Sequence, residues 1–256
     1  MDKLIPSFFG AIIFYTTITL PTYLKVDLGR IARWLTAIGL LIGGLLGFVE
    51  VIFEYINLPT LTRSVLIISL WVYVTGGLHL DGAMDTADGL AVSNPQRRLE
   101  VMKDSVTGAF GLMAAVILLL IKTLALSEIT AHRWLALMIA AAWGRWGQLM
   151  AIAFYPYLRA TGKAAFLKQS FCFPQDCWFG SIFLLPLSLG QFFFLSQQWG
   201  LILLTQIACG AMVLLVGFWF KRQLGGHTGD TYGATVEWSE AFILCLLTVI
   251  FFKSDS

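Results

Sequence analysis

VLIISLWVYVTGGLHLDGAMDTADGL, residues 65–90, passes from an apolar run directly into three carboxylates, Asp81, Asp85 and Asp88. Read as a helix turning about 100° per residue, the i, i+4, i+7 spacing puts the three acids within an arc of roughly 60°. Like charges on one face repel, and a carboxylate at the centre of a membrane helix costs on the order of 3 kcal/mol. A compensating cation is needed, and a hard divalent metal held by oxygen ligands is the simplest. His79 projects about 160° from Asp81 on such a helix, which argues against its sharing a metal with that face.

The surrounding chain makes these charges unusual. Of 256 residues, 58% are hydrophobic and 12% charged, against roughly 25% charged in a soluble domain. The mean hydropathy is +0.79. Long apolar runs occupy about Leu35–Phe53, Val65–Leu78, Ala109–Leu126, Leu135–Phe154, Phe179–Leu195, Leu201–Phe220 and Ala241–Phe252. Most approach the roughly 20 residues that cross a hydrocarbon core, and in lipid such segments must be helical to satisfy their own backbone. Ile5–Leu20 is apolar but short, with no small-x-small cleavage site after it, so it reads as a retained interfacial or re-entrant segment. The expected fold is an all-α polytopic membrane bundle of about seven spans plus a short N-terminal apolar helix, forming one integral membrane domain over residues 1–256.

The net charge of +2, without a basic patch, argues against a nucleic-acid partner. Cys172, Cys177, Cys209 and Cys245 show no zinc-site spacing and read as reduced, small apolar residues. Lys25, Arg30, Arg33, Arg97, Arg98, Lys103, Arg159, Lys163, Lys168, Lys221 and Arg222 fall in one alternating set of connections. The other set has Arg63 and Arg133, with Lys122 near a helix end. The positive-inside rule makes the first set cytoplasmic, and with it the Asp81–Asp88 stretch, the 97–105 segment and the 225–240 segment.

Asn94 before Pro95 is a helix start, cap then locked first position. In the short helix that follows, Arg97, Arg98 and Lys103 suit either a lipid-headgroup face or phosphate ligands beside a metal. Arg145 stands near the middle of Leu135–Phe154, where an ionisable group points to a polar cavity or a substrate phosphate; a buried pair with Glu50 is the structural alternative. Tyr155–Lys163 reads first as an interfacial belt, with a phosphate or ring contact as the alternative. A second polar segment, Gly225-Gly226-His227-Thr228-Gly229-Asp230-Thr231, lets backbone amides converge on an anion, and Asp230 and Glu237 share a helical face. It lacks the pattern of a triphosphate-binding P-loop.

Three motifs carry a resemblance: GGLHLDGxxDTADGL at 76–90, RRLExMKDSxxGxFG at 97–111, and GGxTGDTxGA at 225–234. In this order they closely resemble the cobalamin synthase family, membrane enzymes also called adenosylcobinamide-GDP ribazoletransferases. The resemblance implies a bacterial inner-membrane enzyme that joins adenosylcobinamide-GDP to α-ribazole or its 5′-phosphate, releases GMP and requires Mg²⁺. Carried onto this chain, Asp81, Asp85, Asp88 and Asp230 are expected to hold the metal. Arg97, Arg98, Lys103, Ser105, Arg145, Thr228, Gly229 and Asp230 are expected to contact substrate. Asp81, Asp85, Asp88 and Asp104 are the candidates for catalysis, the base being unassigned among the acids with His79 behind them. Thr17 stands where the family commonly has a basic residue, and His227 where it is usually apolar. The expected partners are the corrinoid-GDP and ribazole substrates and membrane lipid; a homo-oligomer is left open. A membrane prenyl- or alcohol-phosphate transferase shares the aspartate logic, whereas a transporter is disfavoured by the absence of an internal repeat.

Overall fold

A computed structural model describes residues 3–104, 106–159, 162, 164–194 and 199–254, the last three by backbone only. All regular elements among the described residues are helical. They are α1 (Leu4–Tyr15), α2 (Leu35–Tyr55, entered through a 3-10 turn at Ile31–Trp34), α3 (Thr60–Val74), α4 (Leu78–Ala91), α5 (Pro95–Val101) and α6 (Ala109–Glu128). There follow α7 (Arg133–Phe154), α8 (Ala165–Gln169), α9 (Gln175–Ile182), α10 (Leu185–Phe194), α11 (Trp199–Leu224) and α12 (Gly229–Ser254). Among the described residues six segments are long and apolar enough to cross a membrane, and α3 with α4, bent by 89°, makes a seventh when the pair is counted as one span. The expected count of about seven is met.

The bend has a local cause. Gly76 and Gly77 hold φ of 60° and 67°, a left-handed region that a Cβ makes costly. The 15 residues of α3 extend about 22 Å, short of a hydrocarbon core of roughly 30 Å, before the chain turns into the aspartate helix. Thr17, after α1, donates its N–H to the carbonyl of Val74 at 2.7 Å, so the N-terminal segment is tied to the bend.

Helix α7 is the buried centre of the bundle. It meets α2 along Gly39, Gly43 and Gly47, where a Cβ at Gly39 would lie 2.7 Å from the Ala142 Cα and one at Gly43 2.6 Å from the Met138 Cα. Lipid offers no hydrophobic drive between helices, so contact of this closeness, made by small residues every fourth position, holds the pair. The same ends are clamped by ions: Arg133 donates from Nε to Glu50 at 2.6 Å and from Nη2 to Ser64 at 2.9 Å, while Arg63 lies 3.5 Å from Glu50. Glu50 therefore pairs with Arg133 and Arg63, not with Arg145.

One boundary departs from the sequence reading. The final helix starts at Gly229, twelve residues before the apolar run at Ala241. Residues 229–240 are polar yet helical because their side chains meet other buried polar groups, a partnership that hydropathy does not register.

Candidate functional site

The centre of the site is the crossing of α4 over the start of α12. A Cβ at Gly82 would lie 2.7 Å from the Asp230 carbonyl oxygen, and one at Gly233 would lie 2.9 Å from the His79 carbonyl oxygen. The two backbones touch at both points, so the glycines of the DGxxD and GDTxG motifs are steric requirements of the crossing. Asp81 and Asp85 on α4 are thereby set beside Asp230 on α12. The charged groups around Asp85 are Asp81, Asp230, Asp88 and Arg159.

Asp88 is differently engaged. Its Oδ2 accepts the Gly108 N–H at 2.7 Å and its Oδ1 the Gly111 N–H at 2.8 Å. Both oxygens thus cap α6, whose first amides have no partner within their own helix and whose dipole favours an anion there.

Asp230 accepts from Arg159 Nη1 at 2.8 Å and from the Thr228 hydroxyl at 3.4 Å. Arg159 is held there by backbone: Leu158 N–H donates to the His227 carbonyl and His227 N–H to the Pro156 carbonyl, each at 2.8 Å. Rings reinforce the stitch, with His227 stacked between Tyr155 and Tyr232 at centroid distances of 5.2 and 5.4 Å. The His227 ring bonds the Gly217 carbonyl at 3.1 Å and the Thr231 hydroxyl at 3.2 Å. Burial lowers its pKa to about 4, so the ring is neutral at physiological pH. This histidine is an architectural member of the site. Burial also pushes up the pKa of the Tyr157 phenol, which lies beside Gly229.

The basic helix α5 forms as expected, with Asn94 Oδ1 accepting the Gln96 N–H at 3.0 Å. Its cations are deployed otherwise than expected. Arg98 donates to the carbonyls of Val92 and Gln223 at 3.2 and 3.1 Å, closing the C-terminal ends of α4 and α11. Arg97 is exposed beside Glu100 at 3.8 Å. Lys103 and Asp104 are exposed, and Asp104 accepts the Val106 N–H at 3.2 Å. Ser105 and Lys163 lie outside the described residues.

Arg145 is fully buried, but the groups around it are Glu240, Glu237 and Tyr15, not the aspartates of α4. It belongs to an internal polar core in which Lys122 donates to Glu237 and, at 2.7 Å, to Glu240, and lies 4.8 Å over the Trp71 ring. Of the expected residues, then, Asp81, Asp85, Asp230, Thr228 and Gly229 come together. Asp88 flanks them with its oxygens occupied, and Arg97, Arg98, Lys103, Asp104 and Arg145 do not join them. Arg159, in the loop whose first reading is an interfacial belt, joins them through Asp230; a cation in a Pro-containing aromatic stretch is its only signal in the sequence.

Among the described residues no three acid, imidazole or thiolate groups close tightly enough to enclose a metal unaided. Mg²⁺ does not need that, since it keeps several waters and is commonly bound by one or two carboxylates plus substrate phosphates. The all-carboxylate set Asp81, Asp85 and Asp230 fits such a use. An open apolar groove of about 500 Å³, lined by residues including Ala87, Leu90, Phe110, Trp219 and Trp238, lies against the opposite face of α4 and carries no acid or cation.

The family model described as cobalamin-5-phosphate synthase matches residues 7–248. Similar curated proteins carry the name adenosylcobinamide-GDP ribazoletransferase. That of Trichormus variabilis is 52% identical, covering 94% of this chain and 96% of its own. The protein of Synechocystis sp. is 46% identical over 94% of both chains, and that of Thermosynechococcus vestitus 44% identical over 97% and 98%. No solved structure matches.

Proposed function

The chain belongs to the cobalamin-5-phosphate synthase family, and from that premise we propose that it joins adenosylcobinamide-GDP to α-ribazole or its 5′-phosphate and releases GMP. The observation that carries this reading is the glycine-backed crossing that brings Asp81, Asp85 and Asp230 together.

The reaction forms one P–O bond and breaks another. The ribazole 5′-hydroxyl attacks the phosphorus on the cobinamide side, its proton passes to a base, and the bond to the GMP oxygen breaks. Negative charge grows on the bridging and non-bridging oxygens, so catalysis consists largely of positioning and charge compensation. Asp81, Asp85 and Asp230 would hold Mg²⁺. When bound, the ion neutralises the diphosphate and stabilises the leaving phosphate. Asp88 contributes by fixing the start of α6 next to the acids. An acid of the site not engaged with metal takes the hydroxyl proton.

The active site faces the cytoplasm of a bacterial inner membrane in this reading. The cations that weaken the positive-inside count are Arg63, Arg133 and Lys122, and each is ion-paired and buried. The loop cations that remain fall on the aspartate side. Cysteines placed at Ser93 and at Asn57, on a background lacking the four native ones, should be labelled from the cytoplasm and from outside respectively.

The reaction is tested directly with purified protein, adenosylcobinamide-GDP, Mg²⁺ and either acceptor. GMP should appear together with the joined corrinoid, and product formed only with a prenyl or other alcohol acceptor would overturn the reading.

A further inference from the structure

Arg159 has an unused edge. Its guanidinium contacts Asp230 through Nη1 alone, at 2.8 Å. Nε and Nη2 are buried and have no hydrogen-bond partner among the described residues. Those two nitrogens form the side-on edge of the planar group, whose parallel N–H bonds match two oxygens of a carboxylate or phosphate. A buried charged donor without an acceptor is costly, so the free edge of a side chain only 14% exposed is suited to receive an oxyanion.

The fork is also held in place. The backbone bonds linking Pro156 and Leu158 to His227, with the Tyr155–His227–Tyr232 stack, anchor the residue immediately before it to the start of α12. Asp230, which it contacts, and Asp85, which feels its charge, are among the acids read as metal ligands. Acids alone would repel a diphosphate.

Resting on the ribazoletransferase reading, the geometry points to Arg159 as the cation that grips the diphosphate of the corrinoid-GDP substrate. Nη1 remains on Asp230 while Nε and Nη2 take a pair of non-bridging oxygens. Arg159 thereby couples the anion to the metal ligand that shares its guanidinium. Phosphate oxygens of a lipid headgroup present the same chemistry, so the test excludes them first.

The intact protein in phosphate-free maltoside micelles is titrated with Mg²⁺-pyrophosphate by calorimetry, and turnover is followed in parallel. Arg159→Gln should weaken pyrophosphate binding at least about tenfold and raise KM for adenosylcobinamide-GDP, with KM for ribazole unchanged. Arg159→Lys keeps the charge without the fork and should recover only part of the affinity; it supplies the test if the glutamine variant does not fold. Wild-type pyrophosphate affinity in the folded variants overturns the assignment, as does Arg159-dependent binding that appears only towards added phosphatidylglycerol. If the wild type joins corrinoid and ribazole but Arg159 proves indifferent to pyrophosphate, the inference fails and the reaction stands. If pyrophosphate binding needs Arg159 but no joined product forms, the reaction fails and the fork stands.

Discussion

Replacing Asp88 separates two roles that the sequence could not tell apart. The carboxylate accepts two amide hydrogens from the first turn of α6, at 2.7 and 2.8 Å. Hydrogen bonds to a charged acceptor contribute about 1.5 kcal/mol each at the lower end, suited to a half-buried group, and the favourable helix dipole is lost with them. Asp88→Ala should therefore destabilise that turn by about 2–3 kcal/mol, more than the ~0.5–2 kcal/mol of an ordinary cap because two bonds are lost together. Since 1.4 kcal/mol is a factor of ten, local opening becomes roughly 30 to 150 times more frequent.

Hydrogen exchange read at the Gly108 and Gly111 amides in micelles should accelerate by that factor, while amides in the middle of α6 keep their rates. Asp88→Asn retains one good acceptor and should fall between the two. A Mg²⁺ titration of turnover supplies the second readout. Asp85→Asn should raise the Mg²⁺ concentration needed for half-maximal rate, whereas Asp88→Asn should lower the rate with less change in that concentration. Unchanged exchange at Gly108 and Gly111 in Asp88→Ala would refute the capping role. An Mg²⁺ shift in Asp88→Asn as large as in Asp85→Asn would make Asp88 a ligand after all.

Gly233→Ala places a Cβ 2.9 Å from the His79 carbonyl oxygen; turnover should drop by at least about tenfold while membrane insertion, measured by fractionation, is retained. Lys122→Met leaves Glu237 and Glu240 with Arg145 as their neighbouring cation and should cost about 3–5 kcal/mol, seen as early thermal aggregation, and Lys122→Met with Glu237→Gln, which keeps Glu240 beside Arg145, should restore part of it. His227 is protonated near pH 4 when folded and near 6.5 when unfolded, so its stability contribution is complete above 6.5 and is lost as pH falls towards 4, on the order of 3 kcal/mol in all. Thermal midpoints of His227→Phe should lack that part of the decline between pH 6.5 and 4, and an identical decline in both proteins would contradict it.

The sequence disclosed whatever is set by hydropathy or by neighbours along the chain. The spans follow from apolar runs, α5 from Asn94-Pro95, and the shared face of Asp81 and Asp85 from helical spacing. It concealed what depends on partners far away. The cap that Asp88 gives α6 is invisible until Gly108 and Gly111 are seen to face it. A pair of Arg145 with Glu50 is the alternative that two charges in apolar runs suggest, but Glu50 meets Arg133 at the first residue of α7, whereas Arg145, twelve residues further along, answers to Glu240. Arg159 was hidden by a good alternative, since a basic aromatic loop at a membrane surface is ordinary. The glycine spacing in α2 was available as a packing signal and went unread.

The internal ion core bears on the site through the rotation of α12. Buried ion pairs seldom add net stability over well-packed apolar groups, so the Lys122–Glu237–Glu240 cluster needs another account. Glu237 follows Asp230 by seven residues, which returns it to within about 20° of the same face. Lys122 on α6 fixes where Glu237 points, and so fixes where Asp230 points two turns earlier. Gly233 lies between them and admits α4 at backbone contact. A slip of one residue along α12 would turn Asp230 by about 100°, taking it off Arg159 and away from Asp85. Apolar residues at 122, 237 and 240 would tolerate such a slip; an ammonium between two carboxylates does not. On this account Lys122→Met with Glu237→Gln, which keeps Glu240 beside Arg145, recovers part of its stability but not its full turnover, because the ion pair that set the register of the acids has gone.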